Sequence, residues 1–313
     1  RNLTAPANDE SALPKGLQAT LRPYQRVGFQ WLRFATKLRL GVCLADDMGL
    51  GKTIQVLTLL LALKEDGETA QPPSLLIVPA SLIANWKAEI ARFANVLRVF
   101  VAHPSETKLE TLTAGTAWAG SDLVITTYGM VPRLESLQKA KWRCVILDEA
   151  QSIKNSGSKQ TRAVKKLQGS ARLALTGTPV ENRVSDLWSI FDFLNPGLLG
   201  SPKEFGALIK QLDKQEHGSY QPLRTIVKPY ILRRLKTDKA IINDLPEKTE
   251  VKAHCSLTKT QAVLYQQAVA QLAQELKSVD GIKRRGLVLS YLMRFKQICN
   301  QTMYEGNHIN YLR

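Results

Sequence analysis

The sequence contains little cysteine and little histidine, four residues of each in a chain of 313. The cysteines lie far apart, and no two have the CxxC spacing that metal sites and redox motifs use. This spacing argues against a disulfide framework and, with the scattered histidines, against a zinc or haem centre. It fits a reducing compartment inside the cell. The four cysteines are Cys43, Cys144, Cys255 and Cys299.

No apolar run is long enough to cross a bilayer, which takes about 20 residues of helix. The run VLTLLLAL at 56–63 has the length of a buried helix segment, so we expect no membrane partner. No signal peptide opens the sequence, and Arg1 stands where a start methionine would be. We therefore expect the chain to be a piece of a longer protein.

Acidic residues are outnumbered by basic ones, 27 against 43, which gives a formal net charge of +16. Solubility does not require so large an excess. A single basic cluster is explained as well by a solvated surface as by a binding site. Four clusters in one chain favour a polyanionic partner. They span residues 22–39, 159–166, 228–239 and 283–296.

Apolar strand-like runs alternate with helix-like segments between residues 17 and 196. Several of these runs are continuous, as the buried strands of a parallel sheet require. Segment 81–94 has the spacing of an amphipathic helix. The alternation predicts an α/β fold, a doubly wound parallel sheet with helices on both faces. The predicted strands are residues 41–46, 74–79, 97–103, 122–128, 143–149 and 171–178.

The alternation stops after NPGLLGSP at 195–202. The following residues have helical spacing, interrupted by joints that contain Gly, Pro and Asp, which predicts a mostly helical appended subdomain. We expect four parts in the chain. They are a flexible lead (1–16), the α/β domain (17–196), the helical subdomain (197–300) and a tail without an assigned role (301–313).

The octapeptide DDMGLGKT at 46–53 follows the apolar run GVCLA and precedes a helix-like segment. A phosphate-binding loop needs glycines for a tight turn, a lysine for the β- and γ-phosphates and a hydroxyl for Mg²⁺. Asp46 departs from the strict loop pattern, which has glycine at that position. The loop nevertheless lies at the carboxyl edge of the predicted sheet, where ligands bind, and this favours a nucleotide site. The matching residues are Gly49, Gly51, Lys52 and Thr53.

A second strand, CVILDEAQ at 144–151, ends in two carboxylates. We expect Asp148 to hold Mg²⁺ through water and Glu149 to orient and deprotonate the attacking water. An Asp-Glu pair after a strand is often a solvated turn, but its combination with a GKT loop and a later strand ending in TGT favours catalysis. Upstream, Gln25 in LRPYQ can pair with the adenine edge, which is weak support by itself.

Seven blocks together resemble the first motor lobe of the bacterial-type Swi/Snf helicase-like ATPases, a branch of helicase superfamily two. In that family, aspartate commonly stands at the position of Asp46. The resemblance implies a RecA-like P-loop NTPase lobe with a helical protrusion, and it extends from about residue 17 to residue 300. The blocks are LRPYQRVGFQWL, LADDMGLGKTIQ, IVPASLIANW, VITTYG, LDEAQSIKN, LTGTPVENRVSDLWSIFDFLNPGLLG and ILRRLKTD with LPEK.

The resemblance implies an enzyme that uses ATP and Mg²⁺ to move along double-stranded DNA without sequence preference and to remodel bound protein. A motor that contacts phosphates and sugars, not base edges, suits such movement. The implied partners are duplex DNA and a second RecA-like lobe of the same parent chain. The implied location is cytoplasmic and nucleoid-associated in a bacterium, or nuclear in a eukaryote.

The resemblance also implies roles for individual residues. The catalytic residues are Lys52, Asp148 and Glu149, with Thr53 and Asp148 at the Mg²⁺ ion. The nucleotide positions are Gln25, Asp47, Met48, Gly49, Leu50, Gly51, Lys52, Thr53 and Gln151. The DNA positions are Ser81, Trp86, Thr127, Tyr128, Lys154 and Thr178. Thr176 and Thr178 are expected to couple the two sites.

Some features depart from the family pattern. DEAQ replaces the more familiar DEAH, although Gln151 can still hydrogen-bond, and the usual CNHP is missing after Cys299. No part of this sequence matches a second lobe, and Arg233 and Arg234 match the helical-protrusion block, not the arginine fingers of that lobe. We therefore expect this chain to bind ATP but to hydrolyse little of it alone.

Two alternatives are open at the level of the sequence. The first is a lobe of an RNA or single-strand helicase, which stimulation of hydrolysis by RNA instead of duplex DNA would reveal. The second is a scaffold module that binds nucleotide without moving. Lys52, Asp148 and Glu149 argue against the scaffold, which has no need of all three.

Overall fold

The computed structural model describes residues 13–66, 71–113, 117–177, 184–213, 220–238, 256–277 and 281–300. The chain divides into two compact units, Arg1–Leu245 and Pro246–Arg313. Most of the expected lead and all of the expected tail lie outside the described residues. Within the described part of the lead, Leu13 packs against the core of the first unit.

A seven-stranded sheet forms the centre of the first unit, and its strand pairings are parallel. The strands are β1 (Val42–Leu44), β2 (Ser74–Val78), β3 (Val99–Ala102), β4 (Leu123–Thr127), β5 (Lys141–Leu147), β6 (Gln168–Leu175) and β7 (Ile231–Leu232). Their spatial order is β3-β4-β2-β5-β6-β1-β7. The first six confirm the predicted strands and the doubly wound α/β class, whereas the short β7 was not predicted.

The central strands are buried on both faces. All five residues of β2 and all five of β4 are buried. In β2, Leu76 and Val78 belong to one apolar core, and Leu75 and Ile77 belong to a second core. Because side chains alternate between the two faces of a strand, a sheet covered on both sides requires the continuous apolar runs seen in the sequence.

Helices cover both faces of the sheet. Helices α1, α2 and α3 contribute to the first core, and α4 to α7 contribute to the second. Among the described residues, no helix is both long enough and apolar enough to span a membrane. The helices of the first unit are α1 (Pro23–Lys37), α2 (Lys52–Glu65), α3 (Ile83–Phe93), α4 (Leu109–Thr113), α5 (Glu135–Lys139), α6 (Lys159–Lys165), α7 (Val184–Leu194), α8 (Pro202–Asp213) and α9 (Gln221–Val227).

A smaller third core joins α7 to α8 and α9. Phe191 of α7 is fully buried there, and its ring meets that of Tyr230 edge-on, with 6.3 Å between the ring centroids. Helices α8 and α9, which we expected in the helical subdomain, therefore belong to the compact unit of the sheet. The domain boundaries inferred from the sequence stay predictions.

The described part of the second unit consists of two helices, α10 (Lys259–Glu275) and α11 (Gly281–Asn300). Thr258 caps α10 and forms a reciprocal capping box with Gln261. The two helices pack around Ala268, and the rings of Tyr265 and Phe295 lie 4.7 Å apart between their centroids. Both helices lie within residues 197–300, for which the sequence predicts a mostly helical subdomain.

Candidate nucleotide site

The predicted phosphate loop lies between the end of β1 and the start of α2, of which Lys52 is the first residue. Gly49 and Gly51 have φ angles of +84° and +77°, a left-handed backbone that other residues rarely adopt. A Cβ atom on Gly51 would also lie 2.5 Å from Nε2 of Gln25. The loop conformation therefore depends on these glycines, and the loop leads into the positive end of a helix, where anions bind.

Lys52 points back onto the loop from which it rises. Its Nζ donates a hydrogen bond to the carbonyl oxygen of Asp46 at 2.6 Å and reaches that of Asp47 at 3.5 Å. Burial lowers the pKa of Lys52, while Asp46 and Glu149 act in the opposite direction. A phosphate at the loop would offer this ammonium group a charged acceptor in place of a neutral carbonyl.

Asp46 is fully buried, and Arg234 neutralises its charge. The Nε of Arg234 donates to Oδ1 of Asp46 at 2.8 Å, and its Nη2 donates to Oδ2. Gln55 joins the pair, because its Oε1 accepts from Nη2 of Arg234 at 2.7 Å and its Nε2 donates to Oδ2 of Asp46 at 3.2 Å. The carbonyl of Tyr24 accepts from the remaining nitrogen, Nη1. Asp46, which replaces the glycine of the strict loop pattern, is thus the acidic partner in a buried ion pair.

Residues 231–236, which we call the loop strap, carry Arg234 to this position. Strap residues 231 and 232 form β7 beside β1, and the N–H of Ala45 donates to the carbonyl of Leu232 at 2.7 Å. The N–H of Asp47 donates to the carbonyl of Arg234, and the N–H of Lys236 donates to Oδ2 of Asp47, both at 3.0 Å. The strap is therefore bonded along the first half of the phosphate loop.

Asp148 lies across the cavity from the loop, and two aromatic residues hold it. Nε1 of Trp86 donates to Oδ2 of Asp148 at 2.7 Å, and the hydroxyl of Tyr128 donates to the carbonyl oxygen of Asp148 at 2.6 Å. Burial raises the pKa of Asp148; the Trp86 hydrogen bond lowers it, and the charge of Glu149 raises it. The Trp86 bond leaves Oδ1 to accept the N–H of Glu149 at 3.0 Å.

Glu149 adopts a left-handed backbone with a φ of 51°. Such a conformation is unfavourable for a residue with a long side chain and is typical of functional sites. Nε2 of Gln151 donates to Oε2 of Glu149, and Oε1 of Gln151 accepts from the hydroxyl of Thr176 at 3.0 Å. Thr176, at the end of β6, is fully buried. The structure thus joins the expected base to one of the two expected coupling residues; the other, Thr178, lies outside the described residues.

Gln25 is buried beneath the loop and does not point into open solvent. Its Nε2 donates to the carbonyl of Leu50 at 3.2 Å, and its Oε1 accepts from the N–H of Arg22 at 3.0 Å. Leu50 is also buried, against Tyr24, whereas the side chain of Met48 is 78% exposed. Gln25 therefore supports the loop in this structure, and its contact with adenine stays a prediction.

The residues expected at DNA fall into two groups. Ser81 and Lys154 are exposed, as a contact with the phosphate backbone requires. Trp86, Thr127 and Tyr128 are buried, with 3%, 6% and 5% of their surfaces exposed. Both Trp86 and Tyr128 bond to Asp148, Trp86 to its carboxylate and Tyr128 to its backbone carbonyl, so these two residues can position Asp148. The DNA contacts themselves stay predictions.

A cavity of about 330 Å³ opens between the loop, α3 and the end of β5. Larger cavities, such as one of about 650 Å³ at Arg133 and Glu135, lie away from the loop and lack its chemistry. The smaller cavity unites most of the expected nucleotide residues with three that the sequence reasoning missed, Leu82, Asn85 and Glu89. The expected residues that line it are Met48, Gly49, Gly51, Lys52, Thr53, Trp86, Asp148 and Glu149.

Glu89 of α3 lines the cavity together with Thr53. Burial raises the pKa of Glu89, an interaction with the Thr53 hydroxyl lowers it, and the charge of Asp148 raises it. Hydroxyl and carboxylate oxygens are the ligands that Mg²⁺ accepts in proteins, and it binds together with substrate phosphates and water. Thr53 and Asp148 therefore fit the ion that a nucleoside triphosphate carries, and Lys52 with the loop fits its phosphates.

Comparison with known proteins agrees with this geometry. A family model described as the SNF2-related domain matches residues 24–304. Among solved structures, the Sulfolobus solfataricus SWI2/SNF2 ATPase core in complex with dsDNA is 46% identical, with a TM-score of 0.67. The superposition covers 92% of this chain and 60% of that chain.

Two relatives extend the comparison. YwqA of Bacillus subtilis, named for ATP-dependent helicase or translocase activity, is 42% identical over 308 residues, 96% of this chain and 33% of its own length. The TATA-binding protein-associated factor MOT1 of Saccharomyces cerevisiae is 35% identical over 319 residues, 92% of this chain and 17% of its own length. The chain thus spans about a third or less of these relatives.

Loss of Arg234 is expected to destabilise the first unit strongly. The substitution Arg234→Met leaves the carboxylate of Asp46 buried without its counter-ion, which should lower the free energy of unfolding by about 3–5 kcal/mol. The double variant Asp46→Ala/Arg234→Met removes both charges and should recover most of that loss. Urea unfolding of the four members of this mutant cycle gives the coupling energy.

Arg233→Met is the matched control, because Arg233 is the exposed neighbour of Arg234 in the strap. We expect Arg233→Met to change the free energy of unfolding by no more than about 0.5 kcal/mol. Equal losses for Arg233→Met and Arg234→Met, or a double variant no more stable than either single one, would contradict the buried pair.

Proposed function

Because this chain belongs to the SNF2-related domain family and has the RecA-like fold of that family, we propose that it is the first motor lobe of an ATP-dependent translocase on double-stranded DNA. The observation that carries the proposal is the cavity at the phosphate loop. It brings together Lys52 and Thr53 at the start of α2 with Asp148 and Glu149 at the end of β5. No simple binding role requires all four groups in one place.

The loop and Lys52 bind the phosphates of ATP. The ammonium group of Lys52 exchanges the carbonyl of Asp46 for phosphate oxygens, a charge-assisted contact that the buried ion pair below the loop does not disturb. Thr53 and Asp148 would hold Mg²⁺, which would neutralise negative charge on the phosphates. Trp86 keeps the carboxylate of Asp148 turned toward the cavity.

Glu149 acts as the general base. Its carboxylate orients the water that attacks the γ-phosphorus and accepts the proton of that water as ADP leaves. Gln151 and Thr176 hold this carboxylate through successive hydrogen bonds, so the end of β6 and the base are joined. A movement at β6 would therefore alter the position of the base, which links hydrolysis to the motion of the motor.

Duplex DNA is the proposed track. The net charge of +16 and the exposed Lys154 suit contacts with backbone phosphates, and the solved SWI2/SNF2 core that this chain resembles was determined with dsDNA. A second RecA-like lobe of the parent protein would complete both sites and supply the arginine that stabilises the transition state of phosphoryl transfer. The cargo of such a motor is protein bound to DNA.

Substitutions of Lys52 and Glu149 should affect nucleotide binding differently. Lys52→Ala removes the charge that contacts the phosphates and should weaken ATP binding strongly, whereas Glu149→Gln should bind almost as the wild type does. In the parent protein with both lobes, Glu149→Gln should slow hydrolysis by about 10²-fold or more. Calorimetric titration and a steady-state ATPase assay measure the two effects. Normal hydrolysis by the Glu149→Gln parent would refute the assigned base.

DNA binding should depend on salt and not on sequence. Affinity is expected to fall steeply from low to moderate salt, because contacts with phosphates release counterions. Lys154→Ala should lower the affinity equally for two unrelated duplexes, while Lys139→Ala, a substitution in the exposed Glu135–Lys139 pair of α5, serves as a control. Fluorescence anisotropy over a salt series measures this. A flat salt response, or preference for one duplex or for RNA, would count against a duplex-tracking motor.

A further inference from the structure

Glu89 lies in the nucleotide cavity, although none of the expected functions includes it. We propose that Glu89 is a positioning residue for the metal ion that enters with the nucleotide, acting through the hydroxyl of Thr53 and through water. The inference rests on the proposed function, since it assigns a residue to the same site. The carboxylate of Glu89 makes the affinity for nucleotide depend more strongly on Mg²⁺ than it would with Thr53 and Asp148 alone.

Helix α3 brings two side chains to the two residues expected at the metal. Trp86 and Glu89 are three positions apart, which places them on one face of the helix. Trp86 donates to the carboxylate of Asp148, and Glu89 lines the cavity that Thr53 and Asp148 also line. The same helix therefore orients Asp148 directly and places the carboxylate of Glu89 at the cavity that contains Thr53.

Buried residues fix helix α3 to the core, so the helix can hold Glu89 in a constant position. Trp86 is 3% exposed and Ile90 is 5% exposed, and both belong to the core that α1 and α2 share with the sheet. Glu89 lies between them in sequence and is only partly buried, so its carboxylate faces the cavity and not the core. A side chain fixed to a rigid element keeps its position when a ligand binds.

The side chains that line the cavity carry more negative than positive charge. Its lining includes three carboxylates, Glu89, Asp148 and Glu149, against one ammonium group, that of Lys52. A nucleotide without metal would bring further negative charge to this excess, and repulsion would weaken its binding. The described residues contain no group of three or more His, Cys, Asp or Glu that could hold a metal ion by themselves. Mg²⁺ needs no such group, because it keeps several waters and uses substrate phosphates as ligands.

The substitution Glu89→Gln tests the proposal. Glutamine keeps the size and the ability to accept a hydrogen bond, but it removes the charge. Loss of an outer-shell partner commonly weakens a metal site by about 10–100-fold. We therefore expect ADP with Mg²⁺ to bind about tenfold or more weakly, while ADP in EDTA binds as well as, or better than, it binds to the wild type. Glu89→Asp, which keeps the charge, should retain part of the Mg²⁺ dependence.

The measurement is competition against a fluorescent nucleotide, with Mg²⁺ and with EDTA, and Mn²⁺ binding followed by electron paramagnetic resonance in the presence of ADP. Glu110→Gln, an exposed position in α4, is the control and should change neither value. Thermal unfolding without nucleotide should be the same for wild type and Glu89→Gln. Equal weakening with and without metal, or an unchanged ratio of the two affinities, would overturn the proposal.

The experiment separates this inference from the function on which it rests. Lys52→Ala should weaken ADP binding in both conditions if the nucleotide occupies the loop. Normal binding by Lys52→Ala would show that the nucleotide site itself is wrong. Weak binding by Lys52→Ala together with a normal Mg²⁺ response of Glu89→Gln would leave the nucleotide site intact and refute only the role of Glu89.

Discussion

The phosphate loop of this protein depends on a buried ion pair, Asp46 with Arg234. Burying two charges costs several kcal/mol per ion, which only good geometry and a full set of hydrogen bonds can offset. Gln55 and the carbonyl of Tyr24 complete that set, so the pair draws on α1, the loop, α2 and the strap at once. A loop with glycine in place of Asp46 would lack this constraint.

The buried ion pair also affects how the loop presents its phosphate-binding groups. With the first half of the loop bonded to the strap, the second half presents the start of α2, and Lys52 is left to exchange a backbone carbonyl for phosphate. The opposite wall is held in a similar way, since Trp86 and Tyr128 fix Asp148 and Gln151 fixes Glu149. The site is therefore organised before nucleotide binds, as electrostatic catalysis requires.

Much of the fold and of the candidate site could be predicted from the sequence, because both depend on local sequence patterns. Continuous apolar runs marked six strands, and short motifs at the ends of β1 and β5 marked the phosphate loop and the two carboxylates. The strand β7 has two residues and no detectable period. Arg234 stood in one of the four basic clusters that favoured a polyanionic partner, and its actual partner Asp46 lies 188 residues away. The family resemblance assigned Trp86 and Tyr128 to DNA, and a short motif does not reveal which way a side chain turns; in the structure both bond to Asp148.

We propose that this chain forms one half of an ATP-driven motor on duplex DNA. The most direct test is steady-state ATP hydrolysis by the chain with saturating duplex DNA, before and after addition of the separately produced second lobe of its parent protein. Our account predicts very slow turnover by the chain alone and a DNA-dependent increase when the second lobe supplies its arginines, which commonly contribute about 10³–10⁵-fold. Turnover by the chain alone at the rate of the intact parent, or no stimulation by duplex DNA after both lobes are combined, would contradict it.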